Sequence, residues 1–152
     1  MDEKTILAKL QRLCSRAEYC TSDIRRKAVK ALSGVPGPVE EMADRIVASL
    51  VEERYVDDAR YAAAFAREKS SLQGWGPVKI CYQLRSKGIS EDVIKAALGE
   101  IENDRAMEKL ERLVAAKART LDGDPQRRLK LIRFALSRGY EYSDIEAVID
   151  KF

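Results

Sequence analysis

Histidine is absent from the 152 residues. Its absence removes the commonest general base and the commonest metal ligand. Cysteine is sparse: Cys14, Cys20 and Cys81 are scattered, with no CxxC pair. An odd, scattered set fits a reducing, cytosolic setting better than a disulfide framework. No phosphate-binding glycine loop is present, because Gly34-Val35-Pro36-Gly37-Pro38 has no Walker lysine behind it. No run approaches the ~18 consecutive apolar residues that span a bilayer. Met1-Asp2-Glu3-Lys4 leads into no apolar stretch, so no secretory signal is expected. Neither sign of charge dominates: 28 Lys and Arg stand against 25 Asp and Glu, a net of +3. With 35% charged and 45% hydrophobic residues, the chain fits neither a membrane protein nor a fully disordered one. These absences argue against most enzyme classes. No catalytic residue, no cofactor and no metal site are expected.

What is present is helical. Apolar residues recur at steps of three and four, with no sustained alternation of the β type. Pro38, Pro77 and Pro125 stand where helices can start, with Gly37, Gly76 and Asp124 before them as N-caps. Gly88 and Gly139 follow Lys87 and Arg138, the arrangement of glycines just past a helix C-terminus. Ser90 and Ser143 are candidate N-caps, and Ser143 with Glu146 matches a capping box.

Internal repetition organises the chain. Ala43, Ile46, Val47 and Leu50 have the spacing i, i+3, i+4, i+7; Ile94, Ala97, Leu98 and Ile101 repeat it about 51 residues later. Ile145, Val148, Ile149 and Phe152 repeat it again. The preceding helices agree at steps of about 52: Ala28 and Leu32, Ile80 and Leu84, Ile132 and Leu136. Leu84-Arg85-Ser86-Lys87-Gly88 and Leu136-Ser137-Arg138-Gly139 read alike. A fixed period of this length marks a repeat architecture. The fold class is therefore all-α, with three tandem three-helix repeats at 1–56, 57–102 and 103–152. Helices are expected near 3–19, 22–32, 38–54, 58–70, 77–86, 90–102, 104–120, 125–137 and 143–151. Units this small need their neighbours for support, and an elongated, curved array is expected.

Charge follows the repeat. The second helix of each unit is basic: Arg25, Arg26, Lys27 and Lys30; then Lys79, Arg85 and Lys87; then Arg127, Arg128, Lys130, Arg133 and Arg138. The third helix is acidic: Glu40, Glu41, Asp44, Glu52 and Glu53; then Glu91, Asp92, Glu100, Glu102 and Asp104; then Glu141, Asp144, Glu146 and Asp150. One reading is intramolecular, with acidic and basic helices of neighbouring units attracting each other. The other is a stepped basic surface that tracks an extended polyanion or an acidic protein. Three repeats of one polarity favour the second reading, because exposed ion pairs contribute little each.

Other residues have plainer readings. Asp57-Asp58 is an N-cap with a first-turn acid rather than half of a metal site. Trp75, between Gly74 and Gly76, either stacks on a nucleobase or seals the seam between two units; the seam is the preferred reading. Tyr55, Tyr61, Phe65 and Tyr82 are read as core or seam, and the cysteines as small core residues. Lys69 with Ser70 and Ser71 lacks the oxyanion-hole context of a Ser/Lys catalytic pair.

One ordered set of residues resembles a known family. It comprises Tyr55-Val56-Asp57-Asp58-Ala59-Arg60-Tyr61-Ala62, Phe65, Gly74-Trp75-Gly76-Pro77-Val78-Lys79-Ile80, Leu84, Lys87-Gly88-Ile89 and Ala97-Leu98. Together they resemble the central signature of the bacterial RecX regulatory proteins. Arg16-Ala17-Glu18-Tyr19-Cys20 and Ile24-Arg25-Arg26-Lys27 are similar to that family's first repeat. The likeness covers essentially the whole chain and is strongest over 54–98. The chain departs from the pattern at 33–38, where Ser33-Gly34-Val35-Pro36-Gly37-Pro38 replaces a simple basic-Gly turn.

The resemblance implies a cytoplasmic, non-enzymatic modulator of the RecA recombinase. Such a protein binds in the groove of the RecA–DNA filament and restrains its ATPase, strand-exchange and coprotease activities in DNA repair and the SOS response. It implies RecA and single- or double-stranded DNA as partners and no catalytic residues to carry over; no membrane association and a monomer are expected. The candidate contacts are Arg25, Arg26, Lys27, Lys79, Arg85, Lys87, Arg127, Arg128, Lys130, Arg133 and Arg138. Two rival readings remain: a direct DNA-binding helical protein, with a middle helix in a groove, and a helical scaffold for another acidic protein.

Overall fold

The computed structural model describes residues 1–152 as nine α-helices with no strand. They are α1 (Glu3–Arg16), α2 (Thr21–Leu32), α3 (Val39–Glu52), α4 (Asp58–Ser71), α5 (Pro77–Ser86), α6 (Glu91–Gly99), α7 (Asn103–Thr120), α8 (Arg127–Ser137) and α9 (Tyr142–Ile149). The chain divides into two compact units. One holds Met1–Ala62 with Lys87–Ile89; the other holds Ala63–Ser86 with Ser90–Phe152.

In the first unit, the apolar faces of three helices converge. Ile6, Leu10 and Cys14 of α1 meet Ile24, Ala28 and Leu32 of α2. Met42, Ala43, Ile46, Val47 and Leu50 of α3, with Val56, complete the core. Each fully buried Ile or Leu contributes roughly 1.5–3 kcal/mol. Asp2 opens α1 by accepting from the Thr5 amide at 2.8 Å. Arg54 closes α3 in the left-handed region at φ 60°, where the chain turns back and Tyr55 and Val56 both donate to the Leu50 carbonyl.

In the second unit, Leu110, Val114 and Ala118 of α7 pack with Leu131 and Ala135 of α8, Tyr140, and Ile145, Val148 and Ile149 of α9. Ile80 and Leu84 of α5 and Ile94 and Ala97 of α6 are buried in the same unit.

The helix starts differ from expectation in small ways. Ser90 caps α6 as expected, accepting from the Val93 amide. Ser143 does not cap α9, which begins one residue earlier with Glu141 at the N-cap and no side-chain bond. α5 starts on Pro77, but α3 starts after Pro38 and α8 starts two residues after Pro125. α1 stops at Arg16 because Ala17 is extended, and α6 stops at Gly99.

The third repeat also carries a correction. Ile132 is only half-buried and Leu136 is 45% exposed, whereas Leu131 and Ala135 are the core pair. Two adjacent apolar residues at each step left the register open, and the packed one is offset by a single residue. Tyr82 is 67% exposed rather than core, and Phe152 is not buried either. Cys14 and Cys20 are buried, Cys81 is half-buried, and all three thiols are free.

Two turns share a design. Lys87-Gly88-Ile89 seats against the start of α2: Ser22 Oγ donates to the Lys87 carbonyl at 2.6 Å, and Ile89 is buried. Arg138-Gly139-Tyr140 seats against the start of α5. There the Gly76 amide donates to the Arg138 carbonyl at 2.7 Å, and the Val78 amide donates to Gly139 at 2.9 Å. Tyr140 is buried, and its hydroxyl donates to the Gly74 carbonyl at 3.1 Å. Gly139 (φ +92°) is forced by conformation as well as contact, and Gly76 by contact alone. A Cβ on Gly76 would lie 2.3 Å from Gly139 O, and one on Gly139 would lie 2.2 Å from Lys79 Cβ.

Candidate functional site

The basic second helices are largely engaged with acids, and the pairing repeats. Arg25 of α2 donates from Nη2 to Glu40 at 2.5 Å and from Nε to Asp44 at 3.1 Å, both on α3. Arg85 of α5 grips Glu91 at the start of α6 through Nε (2.5 Å) and Nη2 (3.0 Å). Arg128 of α8 donates to Asp150, at the end of α9, at 2.6 Å. Each pair therefore joins a second helix to the third helix that follows it, within one repeat rather than between neighbours. All are solvent-exposed. The hydrogen bonds raise the pKa of each guanidinium and lower that of Glu91.

Lys87 is held differently. Its ammonium donates to Asp23 Oδ2 at 2.9 Å and Oδ1 at 3.2 Å in a partly buried pair that ties the 87–89 turn to α2. Arg26 binds the same carboxylate. Burial pushes the Asp23 carboxyl up, but hydrogen bonds from Lys87, Cys20 and Arg26 outweigh it, and the net shift is downward.

The remaining candidates divide between structural and free. Arg127 donates to the Phe152 and Ala118 carbonyls at 3.0 and 3.2 Å, and its Nε is buried without a partner. Lys130 is tied to Asp124 at 2.6 Å, and Asp124 also accepts from the Gln126 amide at the approach to α8. Arg138 donates to the Gln73 carbonyl at 3.2 Å and lies over the Phe134 ring. Lys27 lies over Tyr19, with its ammonium 5.4 Å from the ring centroid. Lys79 lies 4.3 Å over the Trp75 ring. Arg133 is exposed, with no hydrogen bond or ion pair. Of the eleven candidates, Lys27, Lys79 and Arg133 make no hydrogen bond or ion pair, and the other eight are engaged.

Trp75 is half-buried and packs edge-on against Phe65, at 6.1 Å between centroids. It borders a small cavity of about 120 Å³ with Ile80, Leu98, Ile101 and Tyr140. Lys69, missed by helix-by-helix charge sorting because it ends a first helix, also lies over this ring, at 5.0 Å. No group of three or more Cys, Asp or Glu side chains is arranged to hold a metal ion. No helix is long and apolar enough to cross a membrane.

Comparison with known proteins decides the relationship. The family description "RecX, second three-helix domain" matches residues 57–98, and "RecX, third three-helix domain" matches 103–149. A Regulatory protein RecX from Salmonella heidelberg is 30% identical over 97% of this chain and 91% of its own length. The chain belongs to the RecX family. A second RecX relative, from Salmonella choleraesuis, is equally similar over the same coverage. A crystal structure titled as regulatory protein RecX superposes with a TM-score of 0.83 at 27% identity, covering 97% of this chain and 71% of that one. RecX from Lactobacillus salivarius shares the fold, with a TM-score of 0.81 at 20% identity, covering 98% of this chain and 95% of that one. The all-α reading and the resemblance drawn from residues 54–98 both stand. The matched second domain opens at Asp57, the residue that accepts from the Arg60 amide at 3.1 Å and starts the turn into α4.

Proposed function

We propose that the protein binds the RecA–DNA filament in the cytoplasm and restrains RecA's ATPase, strand exchange and coprotease activity, acting as a monomer without catalysis of its own. The observation that carries this reading is membership of the RecX regulatory family along nearly the whole chain.

The mechanism is steric and electrostatic. The three-helix repeats at 1–56, 57–102 and 103–152 lie across successive RecA protomers and favour an arrangement in which the filament is inactive or disassembles. A regulator shifts such an equilibrium only by binding one state better than the other. Arg25, Arg85 and Arg128, now held by exposed carboxylates, exchange those partners for phosphates or acidic side chains of the filament. Lys27 and Arg133 offer cations with no acid to displace. Because the exchanged pairs are solvent-exposed, breaking them costs little.

The test is RecA's single-strand-DNA-dependent ATPase rate, titrated with this protein from substoichiometric to equimolar ratios. Inhibition far below one molecule per RecA means action by capping or disassembly; inhibition only near saturation means coating of the groove. No effect from folded protein overturns the proposal.

A further inference from the structure

The Gly-Trp-Gly turn at 73–77 is rigid, and its rigidity serves four cations. Lys69 and Lys79 place their ammoniums 5.0 and 4.3 Å from the Trp75 ring centroid. Arg138 reaches the same turn at the Gln73 carbonyl. The stem of Lys109 lies along it, since a Cβ on Gly74 would come within 3.4 Å of Lys109 Cε. The four come from α4, α5, α7 and the turn after α8, so the tertiary fold and not local sequence assembles them. None is within ion-pairing distance of a carboxylate, whereas Arg25, Arg85, Lys87, Arg128 and Lys130 all are.

The neighbouring surface sharpens the contrast. A groove of about 440 Å³ beside the turn shares Lys109 and carries Arg67, Arg105 and Arg112. Those arginines have their own acids, Glu100 at 3.9 Å, Glu102 at 3.1 Å and Glu108 at 3.7 Å. The groove is close to balanced, and the uncompensated charge sits at the turn.

We propose that this turn, with Lys69, Lys79, Lys109 and Arg138, is a binding site for the phosphodiester backbone of a nucleic-acid strand. The indole holds two ammoniums in place by cation–π attraction, which leaves their charge available to an anion. Four hydrogen bonds fix the turn beneath them: Gly76 N to Arg138 O, Val78 N to Gly139 O, Tyr140 Oη to Gly74 O, and Arg138 Nη1 to Gln73 O. A fixed set of cations spends little ordering entropy on binding. Repeating phosphates are the ligand that several closely placed unpaired cations suit, and recognition is independent of base sequence. The inference deepens the filament reading by naming a direct strand contact. It also holds or fails without RecA.

The experiment uses the full chain, without RecA, and an oligothymidylate. Trp75 is the sole tryptophan, so its fluorescence reports on the site itself. Binding is expected to change that fluorescence. Each phosphate contact on a single strand contributes a salt slope of about −0.7, or roughly fivefold in affinity at 0.1 M salt. The triple variant Lys69→Gln/Lys79→Gln/Lys109→Gln should therefore lose about a hundredfold in affinity and about 2 in slope. A variant with three exposed, unpaired cations of α1 removed, Lys4→Gln/Lys9→Gln/Arg12→Gln, should bind close to wild type. Far-UV circular dichroism confirms that both variants are folded. An unchanged Trp75 signal at saturating strand overturns the proposal, and so do equal losses in the two variants. RecA inhibition measured in parallel separates the two claims: inhibition without strand binding at the turn leaves the filament reading standing and removes this one.

Discussion

Gly76→Ala should cost more than any surface change in this protein, because the methyl group has nowhere to go. Its Cβ would sit 2.3 Å from Gly139 O, 2.4 Å from Gly139 C and 2.5 Å from the Tyr140 amide nitrogen, all backbone atoms. Restoring an ordinary contact parts the two backbones by about 1 Å, which carries the 2.7 Å bond from Gly76 to Arg138 out of hydrogen-bonding range. The adjoining bond from Val78 to Gly139 is lost with it. Two hydrogen bonds at about 1 kcal/mol each and overpacking at about 1–3 kcal/mol give roughly 3–5 kcal/mol. Gly88→Ala is the internal control. Gly88 has a left-handed φ of +75° and nothing within 4 Å of a Cβ, so only the conformational cost applies, about 1–2 kcal/mol. Gly139→Ala combines both terms and should be the worst of the three. Urea unfolding followed by Trp75 fluorescence and by circular dichroism measures the series. A Gly76→Ala variant within about 0.5 kcal/mol of wild type, the range of an ordinary surface change, refutes the reasoning. So does a Gly139→Ala variant no less stable than Gly88→Ala.

Other perturbations probe the charge network. Glu91→Gln releases Arg85 and should tighten binding to the filament or to a DNA strand, steepening the salt dependence by about 0.7 while leaving the unfolding midpoint unchanged. Asp23 has a folded-state pKa below its unfolded value; its contribution to stability is thus full above the unfolded value and is lost as pH falls through the folded one. Asp23→Asn should lower stability at pH 7 and flatten the acid limb of a stability–pH curve. Tyr140 is the reverse case: burial pushes its hydroxyl up to about 12 from 10. Stability should fall as pH rises from about 10 toward 12, since the unfolded chain ionises first. Tyr140→Phe should weaken that dependence, leaving the part due to Tyr61, whose hydroxyl burial also pushes up, and should cost about 1 kcal/mol by leaving the Gly74 carbonyl unpaired.

Much of the fold was legible because helical punctuation and burial are local. The residues at 43, 46, 47 and 50 declared one face of α3, and all four are buried. Gly88 and Gly139 declared two helix ends, and both adopt positive φ. The register of α8 was not legible, because Leu131-Ile132 and Ala135-Leu136 offer two apolar stripes one residue apart and only packing chooses between them. Charge was legible in kind but not in engagement. The sequence shows that Arg25, Arg85 and Arg128 are basic and that acids follow, but not that each arginine turns onto the acid of the next helix. The cluster at the Gly-Trp-Gly turn was hidden for the same reason. Lys69, Lys79, Lys109 and Arg138 are far apart in the chain and meet only once α7 and the turn after α8 are in place.

The two seated turns also bear on how such a chain changes length. The second and third three-helix units each present a plug, the basic-Gly turn after the second helix, which meets a socket at the start of an earlier second helix. The plugs of the second and third units are both in use, at α2 and α5. At α8 the socket position is taken by the chain's own Asp124, which accepts from Gln126 and holds Lys130. Duplicating an interior unit carries a matched plug and socket with it and needs no new chemistry. Growth by internal duplication thus reuses contacts the fold already makes.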